Sequence, residues 1–209
     1  MNYQKFENRR ELTKFIAKEL FDNKVVAIFR GRSEMGPRAL CNRSILANPC
    51  WDKAKDYLNK EIKFREYWRP YAPVMAQGIH PDIDKSNGSD LSQYEPSLIE
   101  NYFEWFHATP YMTISPKLRD NFRDKLPGIT HLDNTARVQT VRQHENEFIY
   151  LLLFDFKKLS GHAVLLNTSF NIDNQPIVES PKDAIETFKK SKIDYLVLNE
   201  KYLVRKNDE

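Results

Sequence analysis

Residues 25–44 read VVAIFRGRSEMGPRALCNRS, a short continuous apolar run that opens into a long polar loop. An apolar run without alternation indicates a strand that is buried on both faces. Residues 162–176 have the same arrangement, since HAVLL is followed by NTSFNIDNQP. Strands that alternate with helices predict an α/β domain with a mixed sheet. Ligand sites in such sheets usually lie in loops at the carboxyl ends of strands, so residues 30–44 and 167–176 are candidates.

Apolar spacing and turn residues outline the other elements. Helices are predicted at 7–21, 51–62, 116–124, 145–159 and 181–190. Extended segments or strands are predicted at 25–29, 70–76, 111–115, 137–141, 162–166, 195–198 and 202–204. Gly161 is expected to cap one helix, and Ser180 with Pro181 to begin the last. Residues 78–96 collect turn residues without periodicity, which predicts an inserted loop.

The composition is that of an ordinary globular chain. It has 209 residues, 41% of them hydrophobic, with 32 basic and 29 acidic side chains and a formal net charge of +3. No apolar stretch approaches the roughly 18 residues of a spanning helix, and the N-terminus lacks a signal peptide's apolar core. We therefore expect a cytoplasmic protein. The small charge makes nucleic acid an unlikely partner on electrostatic grounds, and Cys41 and Cys50 form neither a disulfide framework nor a zinc site.

Glycine is scarce, with six residues in the chain. Neither a GxGxxG loop nor a phosphate-cradling glycine loop is present. Gly31 and Gly36 have the spacing of a P-loop, but Pro37 and Arg38 replace its Lys and Ser or Thr, and proline donates no backbone hydrogen bond. If the protein handles phosphate, it must do so with side chains.

Two groups of cations suit that task. The first group surrounds the turn at residues 36–37 and consists of Arg30, Arg32, Arg38 and Arg43. If their guanidinium groups converge, they would hold an oxyanion through bidentate hydrogen bonds. The alternative is a set of solvated charges, one of them neutralised by Glu34. Lys63, Arg65 and Arg69 would face one side of a turning segment and suit a polyphosphate. Their alternative is a cation–π cluster at a surface corner.

Three further sets of polar residues are candidates. Asn167, Ser169 and Asn171 follow a buried strand and could bond ribose or phosphate, although any turn favours such residues. Arg137 and Gln139 alternate in a predicted strand and would point the same way. His131 and Asp133 are two possible metal ligands, which is too few to predict a site. Neither cysteine has a neighbouring base, so a thiol nucleophile is not expected.

The ordered set of these motifs resembles a known family. The segments are GRSEMGPRAL (31–40), NRSILANP (42–49), LNKEIKFREYWRPYAPV (58–74), HLDNTARVQTV (131–141), LLNTSFNIDNQPIVESPKDAI (165–185) and IDYLVLNEKYLV (193–204). Together they look like the C-terminal domain of the nodulation-protein U and cephalosporin carbamoyltransferase family. The resemblance implies a YrdC-like open α/β fold around a twisted mixed sheet, flanked by helices. It also implies that carbamoyl phosphate and ATP are converted to carbamoyl-adenylate, with magnesium bridged by phosphates rather than held by a carboxylate cluster.

The family's motifs transfer residue by residue. Lys63 and Arg65 match its Lys-x-Arg element, and with Arg69 nearby they are the expected catalytic residues. The expected nucleotide- and phosphate-binding residues are Arg38, Arg43, Arg137, Gln139, Asn167, Ser169 and Asn171. No metal ligand is assigned.

Three departures from the family pattern concern the backbone or charge. Cys41 and Asn134 each replace a glycine, and Asn174-Gln175 replaces Gly-Glu. Asparagine tolerates a left-handed backbone, so the turns at 134 and 174 are expected to persist. Cys41 tolerates it less well, so if that position needs positive φ, we expect a reshaped arginine loop, defined as residues 30–44. Gln175 also lacks the negative charge of the glutamate that the family has at this position.

The resemblance implies one YrdC-like domain over residues 1–209, with a variable insertion at 78–110. The family's actin-like ATPase-type domain precedes this region and is missing here, so we expect it on a separate carbamoyl-transferring subunit. The aromatic segment 102–106 is the expected interface. Two alternatives stay open: a non-catalytic nucleotide-binding or regulatory subunit, and a YrdC-like role in tRNA modification.

Overall fold

The computed structural model describes residues 1–77, 99–105 and 107–207. Its helices are α1 (Arg9–Phe21), α2 (Ala54–Tyr57), α3 (Ile99–Tyr102), α4 (Asp120–Arg123), α5 (Glu147–Ser160) and α6 (Pro181–Lys190), and a π-helical turn, Leu58–Ile62, continues α2. Its strands are β1 (Asn2–Lys5), β2 (Val26–Phe29), β3 (Arg43–Ala47), β4 (Ala72–Ala76), β5 (Gln139–Val141), β6 (Val164–Ser169), β7 (Tyr195–Leu198) and β8 (Tyr202–Arg205). No helix in these ranges is long and apolar enough to cross a membrane.

The strands form one mixed sheet in the order β1-β8-β7-β2-β3-β6-β4-β5. The pairs β2–β7 and β4–β5 are parallel, and the other neighbours are antiparallel. Because β3 runs antiparallel to both β2 and β6, the latter two strands run in the same direction. Their carboxyl ends, and the polar loops that leave them, therefore lie at the same edge of the sheet.

Helices cover both faces of the sheet. Ala27 and Phe29 pack into one apolar layer with α2 and α6, whereas Val26 and Ile28 pack into the other with α1 and α5. Every residue of β2 is buried. This two-sided burial explains why VVAIF is apolar without alternation, and it confirms the predicted fold class.

The helix boundaries follow their predicted capping residues. Gly161 ends α5 with a left-handed backbone at φ 81°, which glycine adopts without a Cβ penalty. Ser180 accepts from the backbone N–H of Asp183, whose carboxylate accepts in return from the Ser180 N–H, and Pro181 begins α6. The sequence reading of both helices is confirmed.

Several predictions were wrong in extent or kind. No strand forms at 111–115 within the described chain, because Met112 closes a turn onto Thr109 with its own φ at 54°. The helix at 116–124 shrinks to α4, and the strand at 137–141 begins at Gln139. The predicted loop at 78–96, and most of the insertion at 78–110, lie outside the described residues.

Strands β1 and β3 were not predicted. β3 begins with Arg43 and Ser44, whose polar side chains led us to assign them to the arginine loop. Both are buried, and tertiary hydrogen bonds engage their polar groups: Arg43 Nη1 and Nη2 donate to backbone carbonyls, and the Ser44 hydroxyl accepts from the Cys41 N–H. A strand that contains such residues has no apolar signature in sequence.

The three substituted glycine positions all have a left-handed backbone. Their φ angles are 80° at Cys41, 62° at Asn134 and 49° at Asn174. The asparagines keep their turns, as expected. Cys41 adopts positive φ despite its Cβ, which costs roughly 1–2 kcal/mol, while its side chain is fully buried. The arginine loop thus stores local strain.

A buried carboxylate ties α1 to α5. Asp155 of α5 is 3% exposed. Its Oδ2 accepts a hydrogen bond from the Thr13 hydroxyl at 2.7 Å and one from Arg10 at 3.1 Å. Two donors from the helix packed against it stabilise this charge through Oδ2, and the Lys158 ammonium lies 3.7 Å from Oδ1.

Replacing Asp155 with alanine leaves the buried Thr13 hydroxyl without this acceptor. We expect Asp155→Ala to lower the free energy of unfolding by about 1–3 kcal/mol, since Arg10 keeps partial access to water. Urea denaturation measures the change. Glu147→Ala removes an exposed partner of Arg9 and is the matched control, expected to cost less than about 1 kcal/mol. Equal losses in the two variants would contradict the assignment.

Candidate functional site

A pocket of about 180 Å³ opens at the edge of the sheet where β2 and β6 end. Residues of the arginine loop, the turn before β4, the segment before β5 and the end of β6 line it. They are Pro37, Arg38, Ala39, Arg65, Pro70, Tyr71, Ala72, Met112, His131, Arg137, Asn167, Thr168 and Ser169. Both segments predicted as candidates contribute to this one pocket, although the residues from the second, Asn167, Thr168 and Ser169, are the last three of β6 and not part of a loop.

Three arginines give the pocket its charge. Arg38, Arg65 and Arg137 line it, no lining residue in the described chain is acidic, and no ion pair there joins these arginines to a carboxylate. Burial, and then the nearby charge of Arg38, hold the pKa of Arg137 below its usual value. Adjacent arginines without a counterion repel one another, so an anion that binds between them is stabilised.

Arg65 is the most firmly oriented of the three. Its guanidinium lies 4.5 Å from the centroid of the Tyr71 ring, and its Nε donates to Asn59 Oδ1 at 2.7 Å. Asn59 also accepts from the Tyr71 hydroxyl. The preceding residue, Phe64, has φ 47°, a strained value for a bulky side chain. A cation–π contact therefore forms in this segment, with Tyr71 rather than with the expected tryptophan, and it orients a charge that lines the pocket.

Lys63 lies behind the pocket rather than in its wall. Its ammonium donates to the carbonyl oxygens of Ser169 and Asn171 at 2.8 and 2.9 Å, and to Asn171 Oδ1 at 2.6 Å. The Ser169 hydroxyl lies at 3.3 Å. Burial, with a further contribution from Arg65, lowers the pKa of Lys63 to about 7. Lys63 therefore joins the Lys-x-Arg and Ser-x-Asn elements to each other.

Arg43 points into the protein. It is 3% exposed, lies 3.7 Å from the centroid of the Phe29 ring, and donates to the carbonyls of Arg30 and Gly31 at 2.6 and 3.1 Å. Of the predicted phosphate-binding arginines, Arg38 and Arg137 line the pocket, whereas Arg43 holds the loop from which Arg38 projects.

Glu34 braces the same loop from inside. One carboxylate oxygen, Oε1, accepts from the backbone N–H groups of Leu40, Asn42 and Arg43 at 2.6, 2.7 and 3.3 Å. One sequence-based alternative has Glu34 neutralising a surface arginine. In the structure its carboxylate bonds to the loop backbone instead. A loop without regular structure thereby satisfies three backbone donors.

Three other candidates lie outside the pocket. Arg69 is half-exposed and pairs with Glu66 at 2.9 Å. Asn171 holds Lys63 and donates to the Gln175 carbonyl at 2.6 Å. Gln139 is buried and lines a neighbouring cavity rather than the pocket that Arg137 lines.

His131 lines the pocket without Asp133 as a partner. Its ring nitrogens contact Thr135 Oγ1 at 3.2 Å and the Tyr71 carbonyl at 3.3 Å, and burial lowers its pKa. Asp133 instead caps the turn at Thr135. Within the described chain, no group of three or more His, Cys, Asp or Glu side chains could hold a metal ion.

Sequence reasoning missed Tyr71 and Met112 as pocket residues. Tyr71 is predicted only as part of an extended apolar segment. Its place shortly after the Lys-x-Arg element is the available signal, because neighbours of a motif share its edge of the sheet. Met112 had no signal, since its left-handed turn is set by contacts distant in sequence.

A comparison with protein-family models matches residues 17–206 to the carbamoyltransferase C-terminus family. The chain belongs to this family. As a carbamoyltransferase C-terminal domain it is 37% identical over 190 residues to nodulation protein NolNO of Sinorhizobium fredii, covering 91% of this chain and 25% of that protein. It is 36% identical over 182 residues to an uncharacterised protein of Methanocaldococcus jannaschii, covering 87% and 27%. The chain thus spans about a quarter to a third of the length of such relatives.

Solved structures show the YrdC-like fold. Full-length HypF in its phosphate- and nucleotide-bound form matches 99% of this carbamoyltransferase C-terminal domain and 22% of its own chain, with a TM-score of 0.56 and 19% identity. A Sua5 variant of P. abyssi matches 92% and 47%, with a TM-score of 0.54 and 16% identity. These similarities establish the fold, as predicted from the resemblance.

The bracing role of Glu34 is testable through Arg38. Glu34→Ala removes the acceptor of three loop N–H groups, so we expect inorganic phosphate to bind about tenfold more weakly, while Glu34→Gln, which keeps an acceptor, loses less. Calorimetry measures both. In an Arg38→Ala background, Glu34→Ala should have little further effect, because the loss acts through Arg38. Additive losses would contradict this. Glu186→Ala, an exposed change on α6, is the control.

Lys63 should couple ligand binding to protonation. Its folded-state pKa near 7 lies below the ordinary 10.5, so the unfolded chain binds more protons between these values, and this group makes stability rise with pH there. A phosphate bound beside Arg65 favours the charged form. At pH 8 we expect proton uptake on phosphate binding, absent in Lys63→Met. Calorimetry in buffers of different ionisation enthalpy measures it, and equal proton counts in the two proteins would refute the coupling.

Proposed function

We propose that this domain activates a carbamoyl group, using carbamoyl phosphate and ATP to form carbamoyl-adenylate. The observation that carries the proposal is the convergence of Arg38, Arg65 and Arg137 on one pocket with no acidic lining residue in the described chain. Adenylation accumulates negative charge on the α-phosphate and the departing pyrophosphate. Positioned cations are the main catalytic resource for such transfers.

The proposed chemistry balances in two steps. Water first removes the phosphate of carbamoyl phosphate, which yields carbamate and inorganic phosphate. A carbamate oxygen then attacks the α-phosphorus of ATP, the bond to the β-phosphate oxygen breaks, and pyrophosphate leaves. Arg38, Arg65 and Arg137 would neutralise the transferred and departing phosphates, and Lys63 would hold the turn that carries Ser169.

The pocket is large enough for the reacting acyl phosphate but not for the whole of ATP. About 180 Å³ accommodates a small acyl phosphate, so the nucleoside of ATP would extend beyond it along the sheet edge. Magnesium would enter with the ATP phosphates, because the described residues offer no carboxylate cluster for it. Its contribution when bound is to neutralise phosphate charge.

Transfer of the carbamoyl group to an acceptor hydroxyl would use a further domain, which we propose is an actin-like ATPase-type unit. Binding of ATP without turnover would favour the alternative of a regulatory nucleotide-binding subunit. Strongly salt-dependent RNA binding would favour a role in tRNA modification.

Pyrophosphate release in the presence of ATP, magnesium and carbamoyl phosphate tests the proposal. We expect Arg65→Ala and Arg137→Ala each to reduce the rate by about 10²–10³-fold, because each removes a charge aimed at the reacting phosphates. Arg69→Ala should lose less, since Arg69 lies outside the pocket. Arg142→Ala, on an exposed loop, is the charge-matched control. No release by the wild type, with or without a partner subunit, would overturn the activity.

A further inference from the structure

The side-chain oxygen of Asn167 is a buried acceptor without a donor. Asn167 is 1% exposed and lines the pocket, and its Oδ1, itself shielded from water, has no hydrogen-bond partner within the described residues. Leaving a buried polar atom unsatisfied is costly, and such atoms are rare in folded proteins. An orphaned acceptor in the wall of a ligand pocket therefore points to a donor on the ligand.

The orientation of the Asn167 amide follows from a chain of hydrogen bonds. Gln139 Nε2 donates to the Leu40 carbonyl at 3.2 Å, so Gln139 Oε1 faces Asn167. Asn167 Nδ2 donates to that oxygen at 3.0 Å and to the Ala39 carbonyl at 3.1 Å. Rotating the Asn167 amide by half a turn would set its oxygen against two acceptors. The network thus fixes Oδ1 as the atom left over.

This polarity excludes a phosphate contact through the side-chain oxygen of Asn167. Phosphate oxygens are acceptors, and an amide oxygen repels them, while the Nδ2 donor is already engaged by Gln139 and Ala39. Arg38, Arg65 and Arg137 supply the donors for phosphate instead. The pocket therefore combines donors for an oxyanion with an unpaired acceptor, the Asn167 side-chain oxygen.

We propose that Asn167 Oδ1 accepts a hydrogen bond from the NH₂ group of the carbamoyl moiety and selects carbamoyl phosphate over acyl phosphates that lack an N–H. The proposal rests on the proposed function. Acetyl phosphate has a methyl group in place of the amine and the same charge, so it would leave Oδ1 unpaired. A site built to hydrogen-bond a ligand discriminates strongly against an analogue without the bonding group.

Competitive binding of carbamoyl phosphate, acetyl phosphate and inorganic phosphate to the full chain tests this selectivity. We expect the wild type to bind carbamoyl phosphate about 10- to 100-fold more tightly than acetyl phosphate. Asn167→Leu should bring the two within about threefold while inorganic phosphate still binds. Gln139→Leu frees the Asn167 amide to rotate and should also reduce the preference.

Asn48→Leu is the matched control. Asn48 is likewise buried and donates to the Phe21 carbonyl and Asn23 Oδ1, away from the pocket, so the variant should lose stability and keep the preference. The wild-type ratio does not depend on how any variant folds. Equal affinities for the two acyl phosphates would overturn the role of Asn167 and leave the carbamoyl activity standing. Failure of carbamoyl phosphate itself to bind would overturn both.

Discussion

The ammonium group of Lys63 joins the two chain segments on which the pocket depends. It reaches from the end of the π-helical turn to the carbonyls of Ser169 and Asn171, where β6 gives way to a loop. A buried ammonium needs several oxygen acceptors, and the turn after β6 supplies them only in its folded conformation. Arg65, two residues later, is then directed to the pocket wall beside Ser169.

The arginine loop carries charged side chains on both its inner and its outer side. Arg43 and Glu34 bond to loop backbone from within, one through its donors and the other through its acceptors. Arg38, which projects from this braced loop, is exposed and lines the pocket. A glycine-poor loop can in this way present a cation rigidly, because side chains satisfy the backbone groups that regular structure would otherwise satisfy.

Strain lies next to these cationic groups. Cys41 and Phe64 both have positive φ, and each is within three residues of an arginine that lines the pocket. Surrounding contacts maintain these conformations: the Cys41 N–H bonds to the Ser44 hydroxyl, and the Arg65 N–H bonds to the Asn59 carbonyl. Strained backbone that persists beside a pocket is typical of sites whose geometry is set before a ligand arrives.

The sequence by itself determined the alternation of helices and buried strands, the caps at Gly161 and Ser180, and the two loops that carry the site. These features depend on local spacing and on the chemistry of single residues. Tertiary structure alone decided which polar residues face a ligand. Arg38 and Arg43 are both arginines of one loop, yet one lines the pocket and the other bonds to carbonyls, because β3 begins at Arg43 and turns its side chain inward. The free oxygen of Asn167 likewise depends on Leu40 and Gln139, which lie far apart in sequence.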